Sequence, residues 1–498
     1  MSDSEHTEVA VIGAGAVGVA CALWLRRSGH EVTMIEREGI ASGTSFGNAS
    51  TLADYGCLPI ARPEIWRSMP SLLLSPDSPF VIDWKCLPRL SPWLMRFMGQ
   101  CNATRFRANS EMLAQLLSHT YTDYQPLLDD APAAAAMIQR KGCLYAYGKA
   151  ENLQAAQGDI RLRDQLGIHQ QVLTADELIA LEPAMEGHTA GGVLFPSSCH
   201  LDDPQVFIDT LASPLRKEGR IVSAEVTRLS RQASGMLLEY ADGRRLMADR
   251  VVLAAGAWSA QLARQIGDRI PLDTERGYHV EFDLDHSPLN RPTCPVESAF
   301  YMTPLHSAEG ARLRVAGTVE LSSLAGPANP ARFDYLESRV RKVLGIDAPV
   351  ARRWLGFRPT LPDSVPVIGP SPNEPRVIHA FGHQHIGVTL AGVTGRLVSE
   401  CLAKGSPEWI TPCSPARFWH SGRVHEASVM RVRPEVRRSS SCCHSPHRVS
   451  ASKRAALSRA SKDISLRRAS SVIRSRISRA SASSSSTSTS TPMRTPWR

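Results

Sequence analysis

The sequence predicts a mixed α/β fold, in which an α/β unit is combined with a region rich in β-strands. Residues 9–12 form an apolar run with the length and β-branched content of a buried parallel strand, and an apolar stretch of helical length follows. Farther along, residues 271–282, 299–303 and 313–318 have the pattern of successive strands. The 498 residues are enough for two or three domains.

A glycine-rich turn separates the first strand from the first helix. Its glycines Gly13, Gly15 and Gly18 allow a tight turn, an approach of the backbone to a pyrophosphate, and close packing of helix on strand. A second predicted strand, residues 31–35, is followed by Glu36, whose carboxylate can accept the hydroxyl groups of a ribose. With the helix N-terminus facing the phosphates, this stretch predicts a Rossmann-like domain that binds a dinucleotide.

A signal peptide or a membrane span would also explain an apolar N-terminal run, but both fit poorly. The preceding residues are acidic where a signal peptide is basic, and three glycines interrupt the run. The run is also short for a span. We therefore expect no targeting or transmembrane segment and a cytoplasmic protein.

The formal net charge of +9 is unevenly distributed along the chain. Residues 417–498 contain 18 Lys and Arg against 3 Asp and Glu, which leaves 39 against 45 in the rest. The mildly acidic remainder gives no reason to expect nucleic-acid binding. Residues 418–498, rich in Ser and Arg, are expected to be a disordered tail. Such a tail would either contact an anionic membrane surface or be a non-functional extension, and the abrupt change in composition favours the latter.

The 11 cysteines are scattered without a CxxC pair, which indicates reduced thiols rather than a disulfide framework. His383 and His385 are spaced like a metal-binding pair, but no third ligand lies at a suitable distance along the chain. We therefore predict no metal site.

Three further stretches have the composition of ligand-binding turns. Residues 41–50 are rich in Ser, Thr, Asn and Gly, and form either a ligand-facing loop or a solvated one. In residues 249–259 a buried strand ends in small residues, where backbone can approach a ligand. Residues 376–404 predict a strand, a glycine-rich turn and a helix, a geometry that presents backbone amides to an acceptor.

The motifs GAGAVG with Glu36, AAGAWS, GFRPTLPD and GHQHIGVTLA, in this order, resemble the FAD-dependent D-amino-acid oxidase/dehydrogenase superfamily over roughly residues 7–405. Within it the chain resembles bacterial D-amino-acid dehydrogenases, and ERGYH and GHQHIGVT are similar to D-hydroxyproline-type enzymes. The resemblance implies a Rossmann-like FAD-binding domain built from residues 1–60, 145–265 and 350–410. It also implies a β-rich substrate domain built from residues 61–144 and 266–349.

The resemblance further implies the site residues. Those expected to bind the cofactor are Gly13, Gly15, Gly18, Glu36, Arg37, Ser42, Thr44, Ser45, Asn48, Ala49, Val226, Ala255, Gly256, Gly382, His383, Gly387, Val388 and Thr389. Arg358 matches the arginine that binds the substrate carboxylate. We expect Tyr278 and Tyr301 either to line the substrate pocket or to be structural, and His385 either to polarise substrate or to pack. Relatives with covalent flavin use a cysteine near the GxRP motif, and this chain has none between Cys294 and Cys401, so the FAD should be non-covalent.

These expectations describe an enzyme that oxidises the CH–NH bond of a D-amino or secondary amino acid by hydride transfer from Cα to FAD. The imino acid would hydrolyse to a 2-oxo acid and ammonia, or remain a cyclic imine when the substrate is cyclic. Such chemistry needs a hydride acceptor, a cation for the carboxylate and correct placement of the Cα–H bond. Oxygen or a quinone would accept the electrons. An NAD-dependent dehydrogenase and a non-catalytic flavin-binding subunit are the alternatives.

Overall fold

The computed structural model describes residues 5–65, 78–218, 220–307 and 310–419. It confirms the mixed α/β fold, with one largely parallel sheet, one large and mainly antiparallel sheet, and a small third sheet. Of the predicted tail, only residues 418 and 419 belong to these ranges, so the expectation of disorder lies outside the described residues.

The strands follow the predicted order closely, and those predicted near residues 271, 299 and 313 are all present. In chain order the strands are β1 (Glu5–Ile12), β2 (Val32–Glu36), β3 (Thr51–Leu52), β4 (Phe80–Ile82), β5 (Ile138–Gln139), β6 (Cys143–Tyr147), β7 (Gln171–Thr174), β8 (Gly191–Phe195), β9 (Cys199–Leu201), β10 (Arg220–Ser223), β11 (Val226–Gln232), β12 (Gly235–Tyr240), β13 (Arg245–Leu253), β14 (Asp273–Leu284), β15 (Thr293–Pro295), β16 (Phe300–Ser307), β17 (Gly310–Leu321), β18 (Val350–Thr360), β19 (Val367–Pro370) and β20 (Val377–Phe381).

The helices occupy the connections between these strands. In chain order they are α1 (Ala16–Arg27), α2 (Leu87–Gln100), α3 (Ala103–Leu117), α4 (Thr120–Asp129), α5 (Pro132–Ala135), α6 (Ala150–Ala155), α7 (Gln157–Gln165), α8 (Ala175–Leu181), α9 (Pro204–Leu211), α10 (Ser213–Glu218), α11 (Ser259–Gln265), α12 (Pro330–Leu344) and α13 (Gly387–Lys404). Within the described residues, none of these helices is long and apolar enough to cross a membrane.

The first sheet contains the Rossmann-like core. Strands β10, β2, β1 and β13 lie side by side in parallel, and β20 pairs in parallel with the C-terminal part of β13. The antiparallel strands β12 and β11 continue from the N-terminal part of β13. Because the ends of β1 and β13 meet at one edge, the turn after Ile12 lies next to Ala254, whose N–H donates to the Ile12 carbonyl at 2.9 Å.

The second sheet runs in the order β18-β14-β17-β16-β15-β6-β8-β7, with β4 beside β17. Side chains along β14 alternate between its two faces, as in any strand. Tyr278 and Phe282 share an apolar core with Phe333 and Leu336 of α12. Glu275 and the backbone of Gly277 belong to the opposite face, where the sheet borders a cavity.

Strand pairing distributes the predicted domain segments over both sheets. Strands β7 and β8 and most of β6 fall in the 145–265 segment that was assigned to the FAD-binding domain, and they pair within the second sheet, where β6 joins β15. Strand β18, assigned to the same domain, pairs with β14 along its length. The parallel sheet takes its strands from residues 5–36, 220–253 and 367–381. The physical reason is that strand pairing is decided by tertiary packing, which local composition does not record.

Helices α1, α13 and α4 pack together on the parallel sheet with glycines at their contacts. A Cβ atom added to Gly395 of α13 would lie 2.6 Å from the Ala20 carbonyl oxygen of α1 and 2.6 Å from Cδ1 of Trp24. One added to Gly392 would lie 2.9 Å from the Tyr124 backbone nitrogen of α4. Helix α4, predicted to belong to the substrate domain, therefore belongs to the core around α1 and α13.

We predict that Gly395→Ala destabilises the fold by about 1–3 kcal/mol, because the atom it meets is backbone and cannot move aside. Gly158→Ala is the matched control, since no atom lies within 4 Å of the added Cβ in α7. That change should be neutral or stabilise by up to ~1 kcal/mol. Thermal unfolding midpoints of both variants measure the difference. Equal midpoints for the two variants would contradict the close α1–α13 contact.

Candidate active site

A cavity of about 530 Å³ lies between the ends of the parallel strands and one face of the second sheet. The turn after β1, the end of β2 and residues 42–49 line one end. Strands β14, β17 and β18 and the turn before α13 line the other. The arrangement is the one expected for open α/β sheets, in which ligands bind beyond the carboxyl ends of the strands.

The predicted cofactor residues are largely brought together on this cavity. Those that line it are Gly13, Gly15, Glu36, Arg37, Ser42, Thr44, Ser45, Asn48, Ala49, Val226, Ala255, Gly256, His383, Gly387 and Val388. Three others, Gly18, Gly382 and Thr389, lie behind the cavity wall. They shape the turns that form this wall through close packing or a hydrogen bond.

The glycine turn has the geometry that its sequence predicts. Gly13 has a φ of +103°, and a Cβ atom there would lie 2.5 Å from the Ala254 carbonyl oxygen. A Cβ atom on Gly18 would lie 1.8 Å from the Gly13 carbonyl oxygen, so helix α1 could not approach the turn with any other residue. Gly15 is open on the cavity side, where its backbone is available to a phosphate.

Glu36 organises the same turn. One carboxylate oxygen accepts from the Ala14 N–H at 2.7 Å, and the other accepts from the Arg37 and Glu38 N–H groups at 2.8 and 3.1 Å. The carboxylate is therefore fixed at the end of β2, on the cavity wall. Sequence analysis did not identify Trp258, which lines the cavity. The Arg37 Cζ lies over the Trp258 ring, 4.1 Å from the ring centroid.

The loop of residues 41–50 is a structured cavity wall rather than a solvated loop. Ser45 Oγ accepts from the Ala16 N–H at 3.0 Å, and Thr44 Oγ1 donates to the Phe357 carbonyl at 2.7 Å. The buried Arg314 of β17 donates to the Phe46 and Asn48 carbonyls at 2.9 and 2.8 Å. Sequence analysis missed this arginine because its contact spans more than 260 residues of chain.

Arg358 lies at the other end of the cavity, in space that a glycine provides. A Cβ atom added to Gly277 on the neighbouring strand would lie 2.3 Å from the Arg358 Cζ. Arg358 Nη1 donates to the Thr318 carbonyl at 3.0 Å. Thr318 has a φ of +57°, where a β-branched residue is strained, and it follows a register shift between β14 and β17. This irregularity directs its carbonyl at the guanidinium.

A buried carboxyl and a half-buried guanidinium set the electrostatics at this end. Glu275 is directly opposite Arg358 in the β14–β18 register, and both line the cavity. Burial raises the pKa of the Glu275 carboxyl to about 7, against the lowering effect of Arg358 and the Thr360 hydroxyl. Burial also lowers the pKa of the Arg358 guanidinium, an effect that Glu275 partly offsets.

The turn before α13 carries both predicted histidines. Burial lowers the pKa of His383 to about 3, and its Nε2 hydrogen-bonds with Thr394 Oγ1 at 2.9 Å. His385 is exposed toward the cavity, and its enclosed surroundings and the nearby Arg358 lower its pKa to about 4. Gly382 has a φ of +87° that forms the turn, and Thr389 Oγ1 accepts from the Ala53 N–H at 3.0 Å.

Of the two tyrosines considered for the substrate pocket, only Tyr301 lines the cavity. Its hydroxyl is 2.9 Å from that of Tyr145 and accepts from that of Tyr55 at 3.2 Å. Tyr278, also considered for a catalytic role, does not line the cavity and takes the structural alternative. Its hydroxyl donates to the Glu320 carboxylate and accepts from the Asn329 N–H at 3.1 Å, on the face of β14 that α12 covers.

Trp354 is a further cavity residue that sequence analysis did not single out as a site residue. Cβ atoms added to Gly47 and Gly356 would lie 1.8 and 1.7 Å from its ring, so both glycines make space for it. Its ring stacks on that of His279 with centroids 5.0 Å apart. The indole therefore forms a rigid part of the wall between the two ends of the cavity.

A family model described as FAD dependent oxidoreductase (DAO) matches residues 8–401. The chain belongs to the DAO family of FAD-dependent oxidoreductases. This membership confirms the resemblance seen in the motifs, makes FAD the cofactor and excludes the alternative of an NAD-dependent dehydrogenase.

Curated relatives of this DAO-family chain match it over most of its length. It is 33% identical to a D-amino-acid oxidase of Bradyrhizobium diazoefficiens over 83% of this chain and 99% of the relative. It is 31% identical to a D-amino acid dehydrogenase of Paramagnetospirillum magneticum over 81% of this chain and 96% of the relative.

Solved structures of other flavoenzymes share its fold. Glycine oxidase from Geobacillus kaustophilus superposes with a TM-score of 0.67 at 19% identity, covering 83% of this chain and 99% of that one. L-Proline dehydrogenase from P. horikoshii superposes with a TM-score of 0.64 at 18% identity, covering 84% of this chain and 98% of that one.

The cavity of this DAO-family chain fits FAD on its own chemistry. Two buried polar atoms on or beside its wall, Asn48 Oδ1 and Thr318 Oγ1, have no hydrogen-bond partner within the described residues. Buried polar groups need partners, so a ligand with its own polar edge is indicated. The glycine turn and Glu36 suit the pyrophosphate and ribose of the same ligand. No group of three or more potential metal ligands occurs within the ranges described.

We predict that Glu36→Ala weakens FAD binding by about 1–3 kcal/mol, because it removes a charged acceptor and frees the turn that the carboxylate fixes. Titration of the apoprotein with FAD, followed by flavin fluorescence, measures the change. Glu31→Ala, an exposed carboxylate just before the same strand, is the matched control and should bind FAD like the wild type. Equal affinities for the two variants would contradict the role of Glu36.

Proposed function

We propose that this enzyme oxidises D-amino acids, including secondary amino acids, at the CH–NH bond. The observation that carries the proposal is Arg358, a half-buried guanidinium at the end of the FAD cavity opposite the glycine turn. A planar fork of this kind suits a carboxylate bidentately. The curated relatives, named D-amino-acid oxidase and D-amino acid dehydrogenase, support the same substrate class.

The chain's own residues would bind and orient the substrate. Arg358 holds the carboxylate, while the Thr318 carbonyl and the Gly277 backbone fix the plane of the guanidinium. The rigid indole of Trp354 and the Tyr301 hydroxyl limit where the side chain can lie and exclude water. Bound FAD supplies the hydride acceptor. The imino product leaves and hydrolyses in water to a 2-oxo acid and ammonia, or remains a cyclic imine when it is cyclic.

A non-catalytic flavin-binding subunit is the second candidate function. The preserved substrate end argues against it, because a cavity that only stored FAD would not need a desolvated guanidinium beside an open space. Oxygen and a quinone both remain acceptors to be tested. Contact with a membrane surface and the cytoplasmic location stay predictions.

Assays with D-proline, 4-hydroxy-D-proline, D-alanine and sarcosine, each with a soluble dye or with oxygen alone, test the activity and its acceptor. We predict turnover with at least one of them. Arg358→Lys should reduce kcat/KM by an amount equivalent to about 2–5 kcal/mol, because an ammonium cannot replace the fork. The flavin spectrum should not change.

The matched control is Arg353→Lys on the same strand, whose exposed guanidinium pairs with Glu337 away from the cavity. It should keep wild-type kinetics. Absence of turnover with the whole panel would contradict the proposed substrate class. Wild-type kinetics in Arg358→Lys would contradict the role of Arg358.

We also predict that FAD is non-covalent, since no cysteine lies between Cys294 and Cys401 and none of the cysteines within the described ranges lines the cavity. Acid precipitation of the purified protein should release all of the yellow colour into the supernatant. Colour that remains in the washed pellet would show a covalent bond.

A further inference from the structure

Glu275 is a carboxyl group of the substrate end that binding of the carboxylate does not use. It lies in the wall of the cavity and is nearly inaccessible to water, with 4% of its surface exposed. It is paired directly with Arg358 across β14 and β18, so both side chains belong to the same face of the sheet. No ion pair joins its carboxylate to any residue that the structure describes.

Among the groups around Glu275, Arg358 supplies the positive charge of the substrate end and Glu275 supplies the acidic group. From β18, Arg358 and the Thr360 hydroxyl favour its ionised form. From the turn before α13, His385 is neutral and lies near Arg358. On the other side of β14, the residue of β17 that pairs with Glu275 is the apolar Leu321. The neighbouring Arg276 is directed to the other face, where it donates to the carbonyls of Ser323 and Pro327 at 2.9 and 3.0 Å.

An amino acid in water is a zwitterion, with its two charges on groups attached to one carbon. A cavity wall that carries a guanidinium and a carboxyl on adjacent strands complements both charges. The flavin, however, takes a hydride from an amine that has lost its extra proton, because a protonated nitrogen has no electron pair to form the C=N bond. A substrate that arrives as the zwitterion therefore needs a group that holds its ammonium and removes its proton.

We propose that Glu275 binds the amino group of the substrate and accepts its proton before oxidation. The inference rests on the proposed function. An N–H bond of the ammonium breaks, an O–H bond forms on the Glu275 carboxylate, and the electron pair stays on nitrogen. The proton returns to water after the product leaves. Glu275 thus selects substrates that carry an amine beside the carboxylate.

Binding of the carboxylate prepares this step. In the free enzyme the positive charge of Arg358 lowers the pKa of Glu275, against the stronger effect of burial. A substrate carboxylate on Arg358 cancels that charge, so Glu275 gains affinity for a proton. Its pKa of about 7 before binding means that it arrives ionised at mildly alkaline pH and becomes a better base when the substrate is seated.

Propionate, which is D-alanine without its amino group, tests the proton linkage without turnover. When the propionate carboxylate binds Arg358, no substrate ammonium is present to balance the charge of Glu275. Glu275 must therefore take up a proton from water. Affinity for propionate, followed by the flavin absorbance of the holoenzyme, should therefore fall up to tenfold per pH unit between about pH 7 and pH 9. The Glu275→Gln variant has no carboxylate at this position, so its affinity for propionate should be the same at every pH in this range.

The pH profile of turnover gives the second readout. With Glu275→Gln only the neutral fraction of D-alanine can react, so kcat/KM should be reduced at pH 7 and rise about tenfold per pH unit toward the pKa of the substrate amine. Glu320→Gln is the matched control, a buried carboxyl of β17 bonded to Tyr278 outside the cavity. It should keep the wild-type profile in both measurements.

Each outcome decides between the claims. Wild-type kinetics in Glu275→Gln, or propionate binding by the wild type that does not depend on pH, would overturn the role of Glu275 and leave the proposed function intact. Absence of turnover by the wild type with every amino acid would contradict the proposed function, while the propionate titration would still measure the proton uptake. That titration needs no variant, so it decides the matter even if Glu275→Gln fails to fold.

Discussion

The position of one guanidinium depends on three strands, and the substrate end of the cavity is built around it. Arg358 is half-buried, and holding a cation away from bulk water costs free energy unless its parts find partners. The structure supplies the Thr318 carbonyl as an acceptor, Glu275 as the residue directly opposite in the strand register, and a contact surface where Gly277 has no side chain. The remaining edge of the guanidinium faces the cavity. In the proposed function, a substrate carboxylate would complete its set of partners.

The dinucleotide end of the site could be predicted because its geometry is local. Gly13, Gly15 and Gly18 act within one turn of chain, and Glu36 bonds to the same turn, so spacing alone identifies them. Sequence analysis also identified Arg358, through its resemblance to a family. It could not find Gly277 or Arg314, because their partners lie more than 80 residues away and depend on strand register.

The remaining differences have the same physical origin. Tyr278 was considered for the substrate pocket, yet successive residues of a strand face opposite sides, and α12 covers the side that Tyr278 occupies. The sequence did not indicate that β6, β7 and β8 pair in the second sheet, because strands this short could pair in either one. The partner of β6, β15, lies more than 140 residues farther along the chain. Which sheet a strand joins is decided by tertiary packing, which composition does not record.

The central claim is that the cavity places the Cα–H bond of a D-amino acid against the flavin, with its carboxylate on Arg358. Anaerobic mixing of the purified flavoprotein with D-alanine and with L-alanine tests this most directly, because it needs no external acceptor. We expect the visible flavin absorbance to bleach with the D-enantiomer in a single turnover and to persist with the L-enantiomer. Equal bleaching by both enantiomers, or bleaching by the L-enantiomer alone, would contradict the account.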